Sequence, residues 1–235
     1  MAEADPKPEL SVVIPFFNEE DNVTLVISDV TSELNKLGKS WEAILVDDGS
    51  TDKTLTQLNK IAKEFTNIRV IHFQQNLGQG ASLFEGISLA KAPLIAMMDG
   101  DGQNLATDIG LLISQLKDND LIVGIRVNRD DSKLRRLTSG IANFTRSRLL
   151  NDKLHDAGCA LKVFRSEVRS SFYNIKMLNP FMPALAVAAH FKVAEYPVSH
   201  RARTKGKSKY GFRAMLVRPI LDLLSVWLII HSKRK

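Results

Sequence analysis

The first 125 residues alternate short apolar runs with stretches of helical periodicity, and this alternation constrains the fold more than any other feature. The apolar runs predict strands over 10–16, 41–46, 68–73, 93–98 and 121–124. Apolar residues recur at helical spacing between these runs, for example over 23–37 and 79–91. Because strands that alternate with helices form βαβ units, we expect an α/β fold with a mainly parallel sheet flanked by helices.

Beyond residue 130 the pattern is less regular. It predicts a basic amphipathic helix around 134–150, strands over 160–164 and 193–198, and an apolar helix over 219–230. Since no Gly/Pro-rich linker divides the chain, we expect one domain over 1–211, followed by a basic and apolar helical segment over 212–235.

The predicted apolar helix near the end bears on location. Its twelve residues would extend about 18 Å, well short of the roughly 30 Å of a bilayer core. The basic end of this helix would be attracted to anionic lipid headgroups at a membrane surface. Alternatively, the helix packs on its own domain or on a second subunit. The polar start gives no signal peptide, and the lone Cys159 fits a reducing compartment. We expect a peripheral protein at the cytoplasmic face of a membrane, without a spanning segment.

The net charge of +6 is concentrated near the C-terminus. From His200 onward, ten Lys or Arg residues face one acid, Asp222, a local net charge of +9, so the first 199 residues carry −3. Nucleic acid, anionic lipid and phosphate-bearing substrates all attract such a segment. No nucleic-acid module accompanies it, and no aromatic residues interleave with the charges, so we expect no nucleic-acid partner.

Polar, glycine-rich and acidic residues follow each of the first four predicted strands. They occupy residues 15–19, 47–50, 76–80 and 99–103. Because ligands of parallel sheets bind at the carboxyl ends of the strands, the sequence predicts a ligand site at that edge. Gly78 and Gly80 do not complete a dinucleotide fingerprint, since Leu83 stands at the third glycine position, and no P-loop motif occurs.

The segment 99–103 carries the most specific chemistry. Asp99 and Asp101 lie in a turn whose glycines permit unusual dihedral angles, so their carboxylates can converge on one hard cation. Mg²⁺ or Mn²⁺ there would neutralise a departing nucleotide diphosphate. A turn or helix cap without metal is the alternative. Asp47 and Asp48 leave a similar choice open between an ordinary turn and hydrogen bonds to a nucleotide base or ribose.

Together these motifs resemble the inverting GT-A glycosyltransferases of family 2. Within that family the chain most resembles the dolichol-phosphate mannosyltransferase and undecaprenyl-phosphate glycosyltransferase group, from about residue 10 to 213. Four motifs are shared widely in the family: V-I-P-F-F-N-E-E, V-D-D-G-S-T-D, N-L-G-Q-G and M-D-G-D-G-Q. The motifs V-G-I-R and D-A-G-C-A-L-K also occur, and D-G-D-G-Q together with R-T-K-G-K-S-K-Y-G is more specific and indicates the lipid-phosphate group. The resemblance implies the GT-A fold, a Rossmann-like sheet between helices, with residues 1–211 as the catalytic domain.

The resemblance also implies a set of site residues. Those around the nucleotide-sugar are Pro15, Phe17, Glu19, Val46, Asp48, Asp99, Gly100, Asp101, Gln103, Arg126, Arg203 and Lys209. Those that hold the divalent cation are Asp99, Asp101 and Gln103. Asp156 and Lys162 align with the segment near the acceptor phosphate, and the residues implied in catalysis are Asp101, Arg126 and Asp156. The chain has Phe17, Gly100 and Lys162 where tyrosine, alanine and arginine are common in the family.

The implied reaction is the inverting, metal-dependent transfer of a sugar from a UDP- or GDP-sugar to a polyisoprenyl phosphate in a membrane. The nearest alternative is a family 2 enzyme with a polysaccharide or other hydroxyl acceptor, which would require a general base. A nucleic-acid-binding protein and a non-catalytic binder of nucleotide-sugars are further alternatives. Contact of the last helix with a second copy or with a membrane partner stays open.

Overall fold

The computed structural model of the chain describes residues 7–127, 146–201 and 212–232, with side chains from residue 221 onward in the last stretch. Its strands form one seven-stranded sheet in the order β3-β2-β1-β4-β6-β5-β7. They are β1 Leu10–Phe16, β2 Trp41–Asp47, β3 Ile68–His72, β4 Leu94–Met97, β5 Leu121–Arg126, β6 Lys162–Arg165 and β7 Val193–Val198. β6 pairs antiparallel with β4 and β5, whereas the other pairings are parallel.

Helices cover both faces of this sheet. They are α1 Val23–Lys36, α2 Thr54–Ala62, α3 Gln79–Leu89, α4 Thr107–Leu116, α5 Leu178–Ala188 and α6 Phe212–Ser232, with a 3₁₀ helix over Ser166–Ser171. Every residue of β1 and β2 is buried, as expected for central parallel strands covered on both faces. The expected class, an α/β fold with a mainly parallel sheet, is confirmed.

Two apolar clusters fill the space between sheet and helices. One joins Val12 and Ile14 of β1 to the buried faces of α1 and α4, and the other joins Val13 of β1 to α3, α5 and α6. Successive β1 side chains therefore serve opposite layers, as the strand period of two requires. In α1, buried apolar residues recur along one face of the helix, at Val23, Val26, Ile27, Val30 and Leu34.

Some predicted bounds were wrong in detail. The strand predicted over 160–164 begins at Lys162, and the helix predicted over 219–230 belongs to α6, which begins at Phe212. The sequence reasoning missed α4 and α5, and α5 contains Pro183 in its interior. Arg203, Lys209 and most of the helix predicted around 134–150 lie outside the described residues. Among the helices described, none combines the length and the apolar content that crossing a bilayer requires.

The strand order determines where the functional segments meet. β1 lies between β2 and β4, so the segments that follow these three strands emerge at the same edge. Because β6 runs antiparallel, its first residue, Lys162, lies beside Met97 of β4 and Val123 of β5, close to that edge. The chain therefore gathers the segments that follow β1, β2 and β4, together with Lys162, at one end of the sheet.

Candidate active site

The segments that follow β1 and β2 are tied together by hydrogen bonds. The Asn18 N–H donates to Ser50 Oγ at 2.9 Å, and the Thr51 N–H donates to Asn18 Oδ1 at 2.7 Å. The Glu19 N–H donates to Thr54 Oγ1 at 2.8 Å. Asn18 has a φ of 51°, a left-handed conformation that asparagine tolerates better than most residues. These bonds fix the two segments as one wall of the site.

Four of the residues predicted around the nucleotide lie at or next to this wall: Pro15 and Val46 near the ends of β1 and β2, and Phe17 and Glu19 after β1. Pro15 and Val46 are buried and opposite each other in the β1–β2 register, and Phe17 is half-buried. The Glu19 carboxylate is 8% exposed and accepts a hydrogen bond from Asn22 Nδ2 at 2.6 Å. The structure therefore places these predicted residues together at the ends of β1 and β2.

Asp48, in what we call the first acidic turn (residues 47–50), binds protein groups. Its carboxylate accepts the N–H of Leu77 at 2.8 Å, the N–H of Gly78 at 3.0 Å and the side-chain amide of Asn76 at 2.9 Å. Burial raises the pKa of Asp48, although these backbone N–H groups oppose the shift. Asp48 therefore holds the segment before α3 in place.

The second acidic turn (residues 99–103) follows β4. Gln79 Nε2, at the start of α3, donates to Asp99 Oδ1 at 2.6 Å. The Gln103 N–H donates to Asp101 Oδ1 at 3.1 Å, which closes the turn. Gly100 is packed so tightly that a Cβ there would lie 2.5 Å from the ring of Phe16. The turn thus has fixed neighbours on both sides.

The two acids of the second acidic turn repel each other. Burial, and then the carboxylate of Asp101, raise the pKa of Asp99 to about 7, although Lys162 and Arg126 lower it. A buried carboxylate whose charge is disfavoured by a neighbouring carboxylate is a suitable place for a cation, which would offset that repulsion.

The donor set in this turn fits a hard divalent ion. Carboxylate and carboxamide oxygens from Asp99, Asp101 and Gln103 are ligands of the kind that Mg²⁺ and Mn²⁺ prefer. Across 7–127, 146–201 and 212–232, no three His, Cys, Asp or Glu residues gather into a group that could hold a metal. An ion here would therefore depend on the carboxamide and on oxygens of a bound substrate as well as on the two acids.

The second acidic turn also contacts the segment at 199–201. The Arg201 N–H donates to Gln103 O at 2.9 Å, Asn104 forms a bridge with His200, and Gln103 Nε2 lies 3.3 Å from His200 Nε2. The Ser199 N–H donates to Asp108 Oδ2 at 2.8 Å. Arg201, the last described residue before the basic stretch of the sequence, is therefore bound to the second acidic turn.

Arg126 and Asp156 form a two-pronged ion pair. Arg126 Nε donates to Asp156 Oδ2 at 2.8 Å and its terminal nitrogen donates to Oδ1 at 2.7 Å. The Arg126 backbone N–H also donates to Oδ2, at 3.2 Å. Both side chains are largely buried, 18% and 8% exposed. This paired geometry orients the guanidinium firmly at the carboxyl end of β5.

Lys162 lies where the sequence reasoning did not expect it. The side chain is fully buried, and its ammonium donates to the carbonyls of Ala157 and Cys159 and to Asn179 Oδ1. Burial lowers the pKa of Lys162 to about 8, although Cys159 and Asp99 oppose the shift. Its role at the acceptor phosphate stays a prediction, and the contacts favour a charge held behind the second acidic turn.

Four polar residues of this edge received no individual role from the sequence, although Gln79 lies within the predicted ligand-site segment 76–80. They are Gln79, Asn179, Glu195 and His200. A signal existed for Gln79, because it stands at the predicted start of a helix directly after a polar segment. Asn179 and Glu195 lie in segments without a motif, so their partners depend on tertiary contacts alone.

Comparison with known proteins agrees with this geometry. The model of glycosyl transferase family 2 matches residues 11–172, which is more than half of the chain. The chain belongs to this family, and it is therefore a glycosyltransferase with the GT-A fold.

Two curated relatives make the comparison more specific. The chain is 40% identical over 233 residues, 97% of its length, to dodecaprenyl-phosphate galacturonate synthase of Rhizobium johnstonii. It is 33% identical over 227 residues, 96% of its length, to undecaprenyl-phosphate 4-deoxy-4-formamido-L-arabinose transferase of Salmonella paratyphi B. The match covers 69% of the length of each relative. The predicted resemblance to polyprenyl-phosphate glycosyltransferases is confirmed.

A solved structure supports the fold. Glucosyl-3-phosphoglycerate synthase of Mycobacterium tuberculosis, in complex with Mn²⁺, UDP-glucose and phosphoglyceric acid, aligns with a TM-score of 0.71. The alignment covers 95% of this chain and 79% of that one, at 17% sequence identity. At this identity the likeness concerns the fold.

Proposed function

We propose that this family 2 glycosyltransferase moves a sugar from a UDP- or GDP-sugar to a polyisoprenyl phosphate in a membrane. Both curated relatives carry a polyprenyl phosphate in their names, and each matches 96% or more of the chain. Their names specify different sugars, galacturonate and a formamido-arabinose, so they support the lipid phosphate rather than one sugar.

The Arg126–Asp156 pair is the structural observation that carries the proposal. A hydroxyl acceptor needs a base to take its proton, whereas a phosphate monoester is already ionised near neutral pH. Asp156 is the acid that aligns with the acceptor segment, and the Arg126 guanidinium engages both of its oxygens, at 2.8 and 2.7 Å. Such a carboxylate is a weak proton acceptor, which favours an acceptor that is already charged.

The proposed reaction is a single displacement. An oxygen of the acceptor phosphate forms a bond to the anomeric carbon while the bond from that carbon to the donor's β-phosphate oxygen breaks. The nucleoside diphosphate leaves with the electron pair, no proton is transferred, and the configuration inverts. Arg126 would lie against the departing diphosphate, where negative charge grows in the transition state.

Asp99, Asp101 and Gln103 would hold Mg²⁺ or Mn²⁺. When bound, the ion supplies charge neutralisation for the leaving diphosphate. Gln79 would orient Asp99, and the buried ammonium of Lys162 would hold positive charge behind the turn.

The nucleotide would lie against the wall formed by the segments after β1 and β2. Phe17 and Glu19 would line it, and Pro15 and Val46, buried near the ends of β1 and β2, would support it from behind. Asp48 would act through the segment it holds, since that segment connects β3 to α3. Arg203 and Lys209 remain predicted contacts of the diphosphate on the strength of the motif in which they stand.

We also propose a peripheral location at the cytoplasmic face of a membrane. One face of α6 packs on the domain through Val226 and Ile230, which are buried. Three leucines of the same helix are exposed by 50% or more: Leu221, Leu224 and Leu228. They lie at helical spacing on one stripe, so they would enter the interface between headgroups and acyl chains. A second copy of the chain or a membrane partner covering this stripe is the other outcome.

Transfer into lipid tests the proposed function. Purified protein is incubated with undecaprenyl phosphate or dolichol phosphate in detergent, MnCl₂ or MgCl₂, and one radiolabelled UDP- or GDP-sugar at a time. We expect label to enter the organic phase for at least one donor, with Asp101→Ala as the inactive control. A parallel incubation with a water-soluble polysaccharide in place of the lipid tests the alternative, and label that moves only to the polysaccharide would favour a hydroxyl acceptor instead.

A further inference from the structure

Glu195 makes three hydrogen bonds to the loop that carries Asp156. It lies in β7 opposite Val123 of β5, and its side chain is only 8% exposed. Its Oε1 accepts the backbone N–H groups of His155 at 2.8 Å and Asp156 at 2.9 Å. Its Oε2 lies 2.8 Å from Nδ1 of the His155 imidazole, which is itself 83% exposed. One buried carboxylate therefore fixes two consecutive residues of this loop.

A buried acid is costly unless it is well hydrogen-bonded, so its contacts indicate what it does. The loop that Glu195 binds has no regular secondary structure at Asp156. Arg126 is the last residue of β5, and Asp156 holds it through both guanidinium bonds. The orientation of Arg126 thus depends on Asp156, and the position of Asp156 depends on Glu195.

We propose that Glu195 is a positioning residue for sugar transfer, which acts through Asp156 to aim the Arg126 guanidinium at the departing diphosphate. This inference rests on the proposed function, in which Arg126 contacts that group. Glu195 does not touch the substrate. Its carboxylate lies on the strand that pairs with β5, so it connects the edge of the sheet to the loop next to the site.

Substitutions at Glu195 and His155 distinguish a positioning role of Glu195 from an effect of its negative charge. Glu195→Ala removes the acceptor of both backbone N–H groups. Glu195→Gln keeps an oxygen for them and loses the charge. His155→Ala removes only the contact to the exposed imidazole. Because a shift of about 1 Å in a group near the chemistry can cost about 100-fold in rate, we expect Glu195→Ala to lower kcat about 10- to 100-fold.

Glu195→Gln should restore most of that loss, and His155→Ala should transfer sugar at close to the wild-type rate. The donor KM should change less than kcat in Glu195→Ala, since Arg126 stabilises charge that grows in the transition state. A Glu195→Gln enzyme as slow as Glu195→Ala, or a Glu195→Ala enzyme with wild-type kcat, would overturn the inference.

A double-mutant cycle tests whether Glu195 acts through Arg126. In an Arg126→Ala background, Glu195→Ala should cost no further transfer rate, whereas two independent effects would add. If Glu195→Ala fails to fold, Glu195→Asp takes its place, because its shorter side chain cannot reach both N–H groups. Additive losses in the cycle would contradict the proposed route.

Nucleoside-diphosphate binding distinguishes this inference from the lipid acceptor. Titration calorimetry with UDP or GDP and MnCl₂ needs no acceptor. Weaker binding in Glu195→Ala, restored in Glu195→Gln, supports the positioning role even when wild-type protein labels no lipid. If wild type, Glu195→Ala and Glu195→Gln bound the nucleotide equally and had equal kcat, the positioning role of Glu195 would be contradicted. The proposed function would be unaffected.

Discussion

The two acidic turns of this site have similar sequences and different environments. Asp48, in the first acidic turn, accepts hydrogen bonds from Leu77, Gly78 and Asn76. Asp99, in the second, accepts one from Gln79 and faces Asp101, which helps to raise the pKa of Asp99 to about 7. The first carboxylate is used to hold the protein's own backbone. The second is left in mutual repulsion with its neighbour.

The difference shows how a local motif acquires its chemistry. Aspartate next to glycine is ordinary turn sequence, and both turns follow strands that lie beside β1. In the first turn the segment after β3 supplies N–H groups, so a bound cation would compete with the fold. In the second turn the neighbouring acid supplies negative charge, so a cation would relieve a cost. Contacts from outside the motif decide which turn can bind a metal.

Removing Asp101 is the strongest test of this difference. Asp101→Ala should lower transfer by about 10³-fold or more, because several kcal/mol of charge neutralisation at the diphosphate are lost. Radiolabel transfer with MnCl₂ measures the rate, and titration calorimetry measures Mn²⁺ binding. Asp118→Ala, at an exposed acid after α4, is the matched control and should behave as wild type. Near-normal transfer by Asp101→Ala without added metal would end the assignment of the second acidic turn.

Much of the fold follows from local sequence. β1 and α1 were predictable because a short, nearly continuous apolar run and apolar residues with a period of 3.6 are the direct signatures of a buried strand and of an amphipathic helix. α5 was not, because Pro183 and a largely apolar composition without helical periodicity hide a helix whose stability comes from its burial. The position of β6 between β4 and β5 depends on contacts far apart in the chain, and no local pattern encodes them.

The candidate site was also predictable only in part from the sequence. Asp99 and Asp101 were identifiable because their spacing and their place after a strand both indicate a ligand site. Lys162 was identifiable as a charged residue in a motif, but its burial was not, since it depends on β4, β5 and Asn179 closing around it. Glu195 carries no motif, and only the tertiary fold brings it to Asp156.

The pH dependence of stability tests the environment of the second acidic turn, because the buried ammonium of Lys162 lies behind that turn. Burial lowers the folded-state pKa of Lys162 to about 8 from its usual value of 10.5. The unfolded state therefore binds more protons between these values, so the stability of wild type should rise relative to Lys162→Met as pH increases from about 8 to 10.5. The relative gain should approach about 3 kcal/mol. Urea unfolding of both proteins across this range measures it, and a constant difference would contradict the burial of the ammonium.

Asp48→Ala tests the first acidic turn. It leaves the N–H groups of Leu77 and Gly78 without their acceptor, so the free energy of unfolding should fall by about 2 kcal/mol. Mn²⁺ affinity should change little, because the second acidic turn keeps its ligands. Chemical denaturation and Mn²⁺ titration give the two values, with Asp118→Ala again as the control. If Asp48→Ala lost Mn²⁺ binding and kept its stability, the first acidic turn would be the metal site, and the assignment of the two turns would be wrong.

The smallest expected effect concerns Gly100, where alanine is common in similar enzymes. A Cβ at this position would lie 2.5 Å from Cδ1 of Phe16 and 2.8 Å from Pro15 O. Gly100→Ala should therefore lower the free energy of unfolding by about 1 kcal/mol, and Phe16→Leu in the same protein should recover part of it. Gly110→Ala is the matched control, since its Cβ would meet only the flexible side chain of Leu37 within a helix. Equal stability of Gly100→Ala and wild type would show that the second acidic turn yields to its neighbours. The fixed position of this turn would then have to come from its hydrogen bonds, Gln79 to Asp99 and Gln103 to Asp101.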